Sequence, residues 1–228
     1  EIRKHCAETW AKTCSMECGS KSATMVFADG DYDLAIEAAL ASSFKLSGQR
    51  CVSSGRILVE RQIIDKFSND FVEQVGSIRT GCPFEEDAPF YGPIISREQM
   101  NKVMSFNQMV RDDGDAQVLL SGDPDSRTLE THPNGHFLTP FVYQCEWGDK
   151  RFLKNEAFGP HVALVPFDGL SDAIRIYNDT EYGLALGVVT DDYRKHRRIA
   201  QECDTGMLYI NGGSIAAESH IPFSSWKK

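Results

Sequence analysis

Residues 44–60 read FKLSGQRCVSSGRILVE. The last six, Gly55 to Glu60, are an apolar run edged by charge, the pattern of a buried strand. Ahead of them lies a small, polar junction that opens at Gly48 and holds one cysteine, Cys51, between Gln49 and Arg56. A structural cysteine belongs inside an apolar run. This one stands where a helix-like stretch gives way to a strand. The pattern predicts helix, turn and strand in that order. It leaves two readings of Cys51: a filler thiol or a nucleophile.

The same alternation extends in both directions. Upstream, residues 1–15 read as a helix with Ile2, Cys6, Trp10 and Thr13 along one side. Residues 23–28 (ATMVFA) read as a buried strand, and Asp31 as the cap of a helix that runs to about Leu46, with Asp33 in its first turn. Downstream, residues 61–78 form a helix that turns Ile63, Ile64, Phe67, Phe71, Val72 and Val75 inward. A loop rich in Pro and Gly (80–96) leads to a helix near 97–112 and a strand at 116–122. A polar surface excursion (122–136) and an extended stretch (137–146) follow. The pattern then runs strand (161–167), helix (170–179), strand (183–190), helix (192–203), strand (206–211). Apolar strands separated by helices imply an α/β fold, a mostly parallel sheet with helices on both faces.

The 228 residues suffice for a sizeable core. A formal charge of −9 argues against nucleic acid or an anionic membrane as partner, and no apolar run approaches the roughly 20 residues of a membrane span. Seven cysteines, odd in number and irregular in spacing, fit a reducing, cytoplasmic compartment better than a disulfide framework. No C-x-x-C pair is present, so a zinc site is not expected. Asp29 to Asp33 (DGDYD) imitates the start of a calcium loop but has Leu34 and Leu40 where that loop needs Gly and Glu. His132 and His136 are four apart, but Pro133 and Gly135 between them exclude a helix. No metal site is expected.

Four stretches, in order, carry a resemblance: MECGSK (16–21), FKLSGQRCVSSGR (44–56), NEAFGP (155–160) and INGGSIAAESHIPF (210–223). They resemble the glutamate, cysteine, Glu-x-Phe-Gly-Pro and late Asn/Pro-Phe motifs of the aldehyde dehydrogenase family, and softer matches fill the intervals. One motif alone would be weak; several in order, in fitting strand and loop contexts, are specific. The resemblance implies the catalytic-domain fold of that family. It also implies Cys51 as nucleophile and Glu17 as general base. Glu156 would hold the nicotinamide ribose, with Phe158 beside the ring, and Cys18 and Gly19 would flank the cofactor. NAD or NADP would be the cofactor and an aldehyde the substrate, in a homodimer or homotetramer. The chemistry suits these residue types. A thiolate attacks a carbonyl, a carboxylate activates the water that releases the acid, and the backbone N–H of Cys51 can steady the oxyanion. A strand out and a helix back return the chain to one sheet edge, which can bring Glu17 and Cys51 together.

The chain also departs from the family pattern. Residues 1–20 match only the end of a dinucleotide-binding domain, leaving 21–228 as the catalytic domain, and no G-x-G-x-x-G is found. The expectation is a catalytic-domain piece, truncated at both ends and inactive alone. Cys18 stands for the usual Leu, and Ser20 for a Gly, which places a side chain where the family keeps backbone bare. Two other readings stay open: a CoA-acylating dehydrogenase, from which Glu17 argues away, and a non-catalytic structural or binding protein derived from the fold.

Overall fold

The computed structural model describes residues 1–8, 12, 14, 16–216 and 220–227. In chain order the elements are α1 (Ile2–Ala7), β1 (Ala23–Val26), α2 (Tyr32–Phe44), β2 (Arg56–Glu60), α3 (Ile64–Gly76), α4 (Arg97–Arg111), β3 (Gln117–Ser121) and α5 (Ser126–Thr131). Then come β4 (Phe141–Gln144), α6 (Arg151–Lys154), β5 (His161–Phe167), α7 (Gly169–Asn178), β6 (Ala185–Val189), α8 (Tyr193–Glu202) and β7 (Met207–Ile210).

The strands form one seven-stranded sheet in the order β3-β4-β5-β2-β1-β6-β7. Every neighbouring pair is parallel except β3 with β4. Because side chains alternate across a strand, successive residues feed two cores. Ile57 and Val59 of β2 pack with Phe67 and Phe71 of α3, whereas Leu58 packs with Ile176 and Tyr177 of α7 and Ile199 of α8. Helices therefore cover both faces. α2 approaches the sheet through the small residues Ala35, Ala38 and Ala39. Asp31 caps it as expected, accepting from the Leu34 N–H (3.0 Å).

The expected boundaries shift in identifiable places. The first helix ends at Ala7 rather than near residue 15; Trp10 and Thr13 lie outside the described residues, and Ile2 is 66% exposed rather than facing a core. α2 stops at Phe44 because Leu46 and Ser47 adopt positive φ, which starts the junction before Cys51. The polar excursion contains a short helix, α5, capped by Asp125, and a second short helix, α6, lies between the extended stretch and β5.

Arg56, the first residue of β2, is wholly buried. Its Nε donates to Lys21 O (3.1 Å), and its two terminal nitrogens donate to Ile176 O and Tyr177 O (2.9 Å each). The last two are carbonyls of the final turn of α7, groups that a helix leaves without internal partners and that carry its negative dipole end. The guanidinium also lies over the Trp147 and Tyr177 rings. Burial draws its pKa down to about 10, still high enough to keep the charge at neutral pH. Arg56→Met should leave three buried carbonyls short of a donor, at about 1–3 kcal/mol each. The expected loss is about 3 kcal/mol or more, read as a lower urea midpoint with an unchanged slope.

Candidate active site

Parallel pairing explains how distant motifs meet. Ala23 of β1 is in register with Arg56 of β2, which is in register with Ala163 of β5. Glu17, Cys51 and Glu156 each lie a few residues before one of these strands. All three therefore arrive at the same edge, the amino ends of the strands. Open α/β sheets commonly bind ligands at the opposite, carboxyl edge, so this site is built from the segments that enter the strands. Glu17, Cys18, Gly19, Gln49, Cys51, Glu156 and Phe158 line one cleft of about 640 Å³, which Phe223 also borders.

The cysteine loop is held from four sides. Gly48 has φ +65°, and a Cβ there would stand 2.4 Å from the carbonyl oxygen of Gly159. Only glycine permits both the turn and that approach, and the approach brings the Cys51 loop against the Glu156–Gly159 loop. Gln49 accepts from the Ile95 N–H (3.0 Å) and donates to Pro93 O (3.4 Å), so it ties the Cys51 loop to the neighbouring one. Arg50 donates to Ile215 O (2.9 Å). Ser54 Oγ meets Thr24 Oγ1 (2.9 Å) and Ser214 Oγ (2.8 Å), and Ser214 Oγ donates to Val52 O (2.5 Å).

The Cys51 thiol is pushed up to about 11. Partial burial is the largest cause, followed by the Glu17 carboxylate beside it, as a hydrogen-bond acceptor and then as a charge. The N–H groups of Val52 and of Cys51 itself lean on the sulfur and pull the other way. At neutral pH the group is a thiol next to a proton acceptor rather than a free-standing thiolate. The pair is suited to passing a proton from sulfur to carboxylate as the sulfur attacks.

Glu156 stands on a short loop fixed from behind. Lys21 is buried, and its Nζ donates to Phe152 O (3.0 Å) and Asn155 O (2.8 Å), immediately before Glu156. Burial, then the charge of Arg56, draws Lys21 down to about 7, while Glu156 opposes that fall. Gln99 Nε2 donates to Ala157 O (2.9 Å) and Phe158 O (2.7 Å), which holds Phe158 at φ +58°, a conformation that costs a non-glycine residue energy. Burial raises the Glu156 carboxyl, whereas the Ser20 N–H and the charges of Lys102 and Lys21 lower it. Lys154 turns away and pairs with Asp179 (2.9 Å). Gly19, at φ +125°, has its Cα so close that a Cβ would lie 3.2 Å from Glu156 Oε2.

The replacement of glycine by Ser20 leaves the cleft clear. Ser20 is buried, its Oγ meets Ser22 Oγ (2.7 Å) and accepts the Ser22 N–H (3.0 Å), and it does not border the cleft. Cys18 is exposed at the rim, and all seven cysteines are free thiols. Asp29 is engaged by Lys195 (2.8 Å) and Thr190 (2.7 Å), and His132 faces Glu85 (3.3 Å); no cluster of metal-ligating side chains occurs among the described residues. Lys21, Arg50, Gln99 and Ser214 are the supporting residues that sequence reading missed. Lys21 closes the glutamate motif and Ser214 lies in the late motif, so both were within reach. Nothing local marks Gln99.

A nicotinamide cofactor fits the residues present: Glu156 presents a carboxylate that accepts from a diol, Phe158 an aromatic face, and Gly19 bare backbone, all on one cleft with Cys51.

The model of the aldehyde dehydrogenase family matches residues 1–228. Human 4-trimethylaminobutyraldehyde dehydrogenase is 33% identical over 220 residues, 95% of this chain and 43% of the human protein. A crystal structure of betaine aldehyde dehydrogenase from Staphylococcus aureus in complex with NAD+ is 31% identical, covers 99% of this chain and 44% of its own, and superposes with a TM-score of 0.88. HpcC from Thermus thermophilus is also 31% identical, covers 99% of this chain and 43% of its own, and superposes with a TM-score of 0.89. The chain spans less than half the length of these relatives. By sequence along its whole length and by the course of its backbone, the chain belongs to the aldehyde dehydrogenase family.

Proposed function

We propose that the protein carrying this chain oxidises an aldehyde to its carboxylic acid, with Cys51 as nucleophile and Glu17 as general base. The observation that supports this most is that Glu17, Cys51 and Glu156 line one cleft, with the Glu17 carboxylate close enough to raise the Cys51 thiol. Glu17 takes the thiol proton as the sulfur adds to the aldehyde carbon. The N–H groups at Cys51 and Val52 steady the oxygen anion that results. A bound NAD or NADP supplies the acceptor for the hydride that leaves that carbon. Cys51 then holds a thioester. Glu17 passes that first proton to solvent and then removes one from water; the hydroxide adds to the thioester, the carbon–sulfur bond breaks to release acid, and the departing sulfur takes the proton from Glu17 to restore the thiol. Glu156 accepts from the ribose hydroxyls and Phe158 flanks the ring, with Cys18 and Gly19 on the rim.

Residues 21–228 act as the catalytic domain, and 1–20 as the end of the cofactor-binding one. The water-activating carboxylate favours hydrolysis over transfer to CoA. The aldehydes for which the relatives are named are the first substrates to test. The enzyme works in the cytoplasm as a homodimer or homotetramer. Among the described residues no helix is long and apolar enough to cross a membrane.

In the full-length protein, Glu17→Gln keeps size and hydrogen bonding but cannot take a proton. Steady-state turnover should fall by roughly 10²–10⁴-fold, the usual worth of a general base. Intact-protein mass spectrometry after mixing with aldehyde and NAD should show an acyl adduct on Cys51. Normal turnover, or no adduct at any pH while the cofactor still binds, would remove Glu17 from this role.

Glu156→Gln should act on a different step. A looser ribose should slow the pre-steady-state burst of NADH, measured by stopped-flow absorbance. An unchanged burst would show that Glu156 is not a cofactor ligand.

A further inference from the structure

Behind the cleft lies a second, smaller cavity of about 20 Å³. Ser43 near the end of α2, Ser53 on the Cys51 loop and His161 at the start of β5 all line it. Ser43 Oγ, Ser53 Oγ and His161 Nε2 are buried, and none has a hydrogen-bond partner among the described residues. Three such atoms on one cavity need a common explanation, because an unpaired buried polar group costs about as much as a lost hydrogen bond.

The network around His161 fixes which partner it lacks. Asn107 Nδ2 donates to Gly122 O (3.1 Å), which turns Asn107 Oδ1 toward His161 Nδ1 (2.8 Å). An amide oxygen only accepts, so Nδ1 carries the proton. The ring is 3% exposed and stacks on Phe141 at 5.2 Å; burial, with Lys21 nearby, holds it neutral by lowering its pKa well below the usual value. Nε2 is then a bare acceptor that requires a donor. Each serine hydroxyl can donate one hydrogen bond and accept others.

We propose that this cavity is a binding site for one structural water molecule, which joins His161, Ser43 and Ser53 and pins the Cys51 loop from behind. The size decides the number: a water needs roughly 10–15 Å³ by this measure, so the cavity takes one and not two. The bonding closes as well. The water donates to His161 Nε2 and to one serine oxygen and accepts from the other hydroxyl. That makes three hydrogen bonds, the usual complement of a buried water. Ser53 is two residues past Cys51, and its N–H already donates to Arg50 O (2.9 Å); the Ser54 N–H donates to Ser42 O (3.0 Å). The water adds a tie through the Ser53 side chain to those that Arg50 and Ser54 already make on either side of it. Ala157 and Gly159, on the loop of Glu156, line the same cavity, so the two catalytic loops share this support.

The test needs no turnover and stands apart from the proposed reaction. A crystal structure of the protein at about 1.5 Å or better should show one ordered water within ~3.2 Å of His161 Nε2, Ser43 Oγ and Ser53 Oγ. Nitrogen NMR should show His161 protonated on Nδ1 alone. Ser43→Ala, and separately Ser53→Ala, should speed amide exchange at residues 51–55 by roughly fivefold, the worth of one net hydrogen bond. Exchange in β3, at the far edge of the sheet, should not change. The proposal is overturned if the cavity shows no water density, or if Lys21 Nζ is found bonded to His161 Nε2. It is also overturned if exchange at 51–55 stays unchanged or quickens equally across the chain.

Discussion

A single buried guanidinium sets the frame of this molecule. Arg56 opens the central strand β2, and its donors go to three backbone carbonyls, one before β1 and two at the end of α7. Burying a charge is expensive unless it is bonded on every side. Here the cation is matched by carbonyl dipoles and by two aromatic faces. The arrangement fixes the entrance to β1, the entrance to β2 and a covering helix relative to one another. Because Lys21 donates onward to the carbonyls before Glu156, the same frame reaches the third loop of the site.

Placing the site at the amino ends of the strands has an electrostatic consequence. Two basic groups, Lys21 and Arg56, lie under it, and two acidic ones, Glu17 and Glu156, face the cleft above. Each carboxylate has a different neighbour. Glu17 is set against the Cys51 thiol and raises it, whereas Glu156 is steadied by the Ser20 N–H and by Lys102 and Lys21. Environment thus gives two chemically identical groups different neighbours, in keeping with the separate parts proposed for them in proton transfer and cofactor contact.

Much of this was legible in the sequence, and for physical reasons. The strands β1, β2, β5 and β6 were readable because they are buried on both faces and so are mostly apolar, with β5 and β6 buried throughout. Glu17, Cys51 and Glu156 were readable because each sits in a short motif at a strand entrance, and parallel pairing carries strand entrances to one edge. What the sequence hid depends on contacts made across the fold. α2 ends where Leu46 and Ser47 turn to positive φ, although neither residue type favours that turn. Ser20 looked obstructive in the motif, yet its hydroxyl turns inward to Ser22. Gln99 clamps Phe158 from a helix nearly 60 residues away, which no local pattern announces. Lys21 read as a motif residue, and only its burial shows it as a clamp.

The central claim is that Cys51 and Glu17 form one proton-sharing pair. The most direct measurement is the rate of Cys51 alkylation by iodoacetamide against pH, followed by peptide mass spectrometry, for the native protein and for Glu17→Gln. Only the thiolate reacts, so the rate follows ionisation. In the native protein it should climb without a plateau through pH 9, toward a midpoint of about 11. Removing the carboxylate takes away a charge that raises the thiol, so the profile should move to lower pH, while burial keeps it above the free-cysteine value of about 8.5. Superimposable profiles, or a native plateau below pH 8, would contradict the pairing and the account built on it.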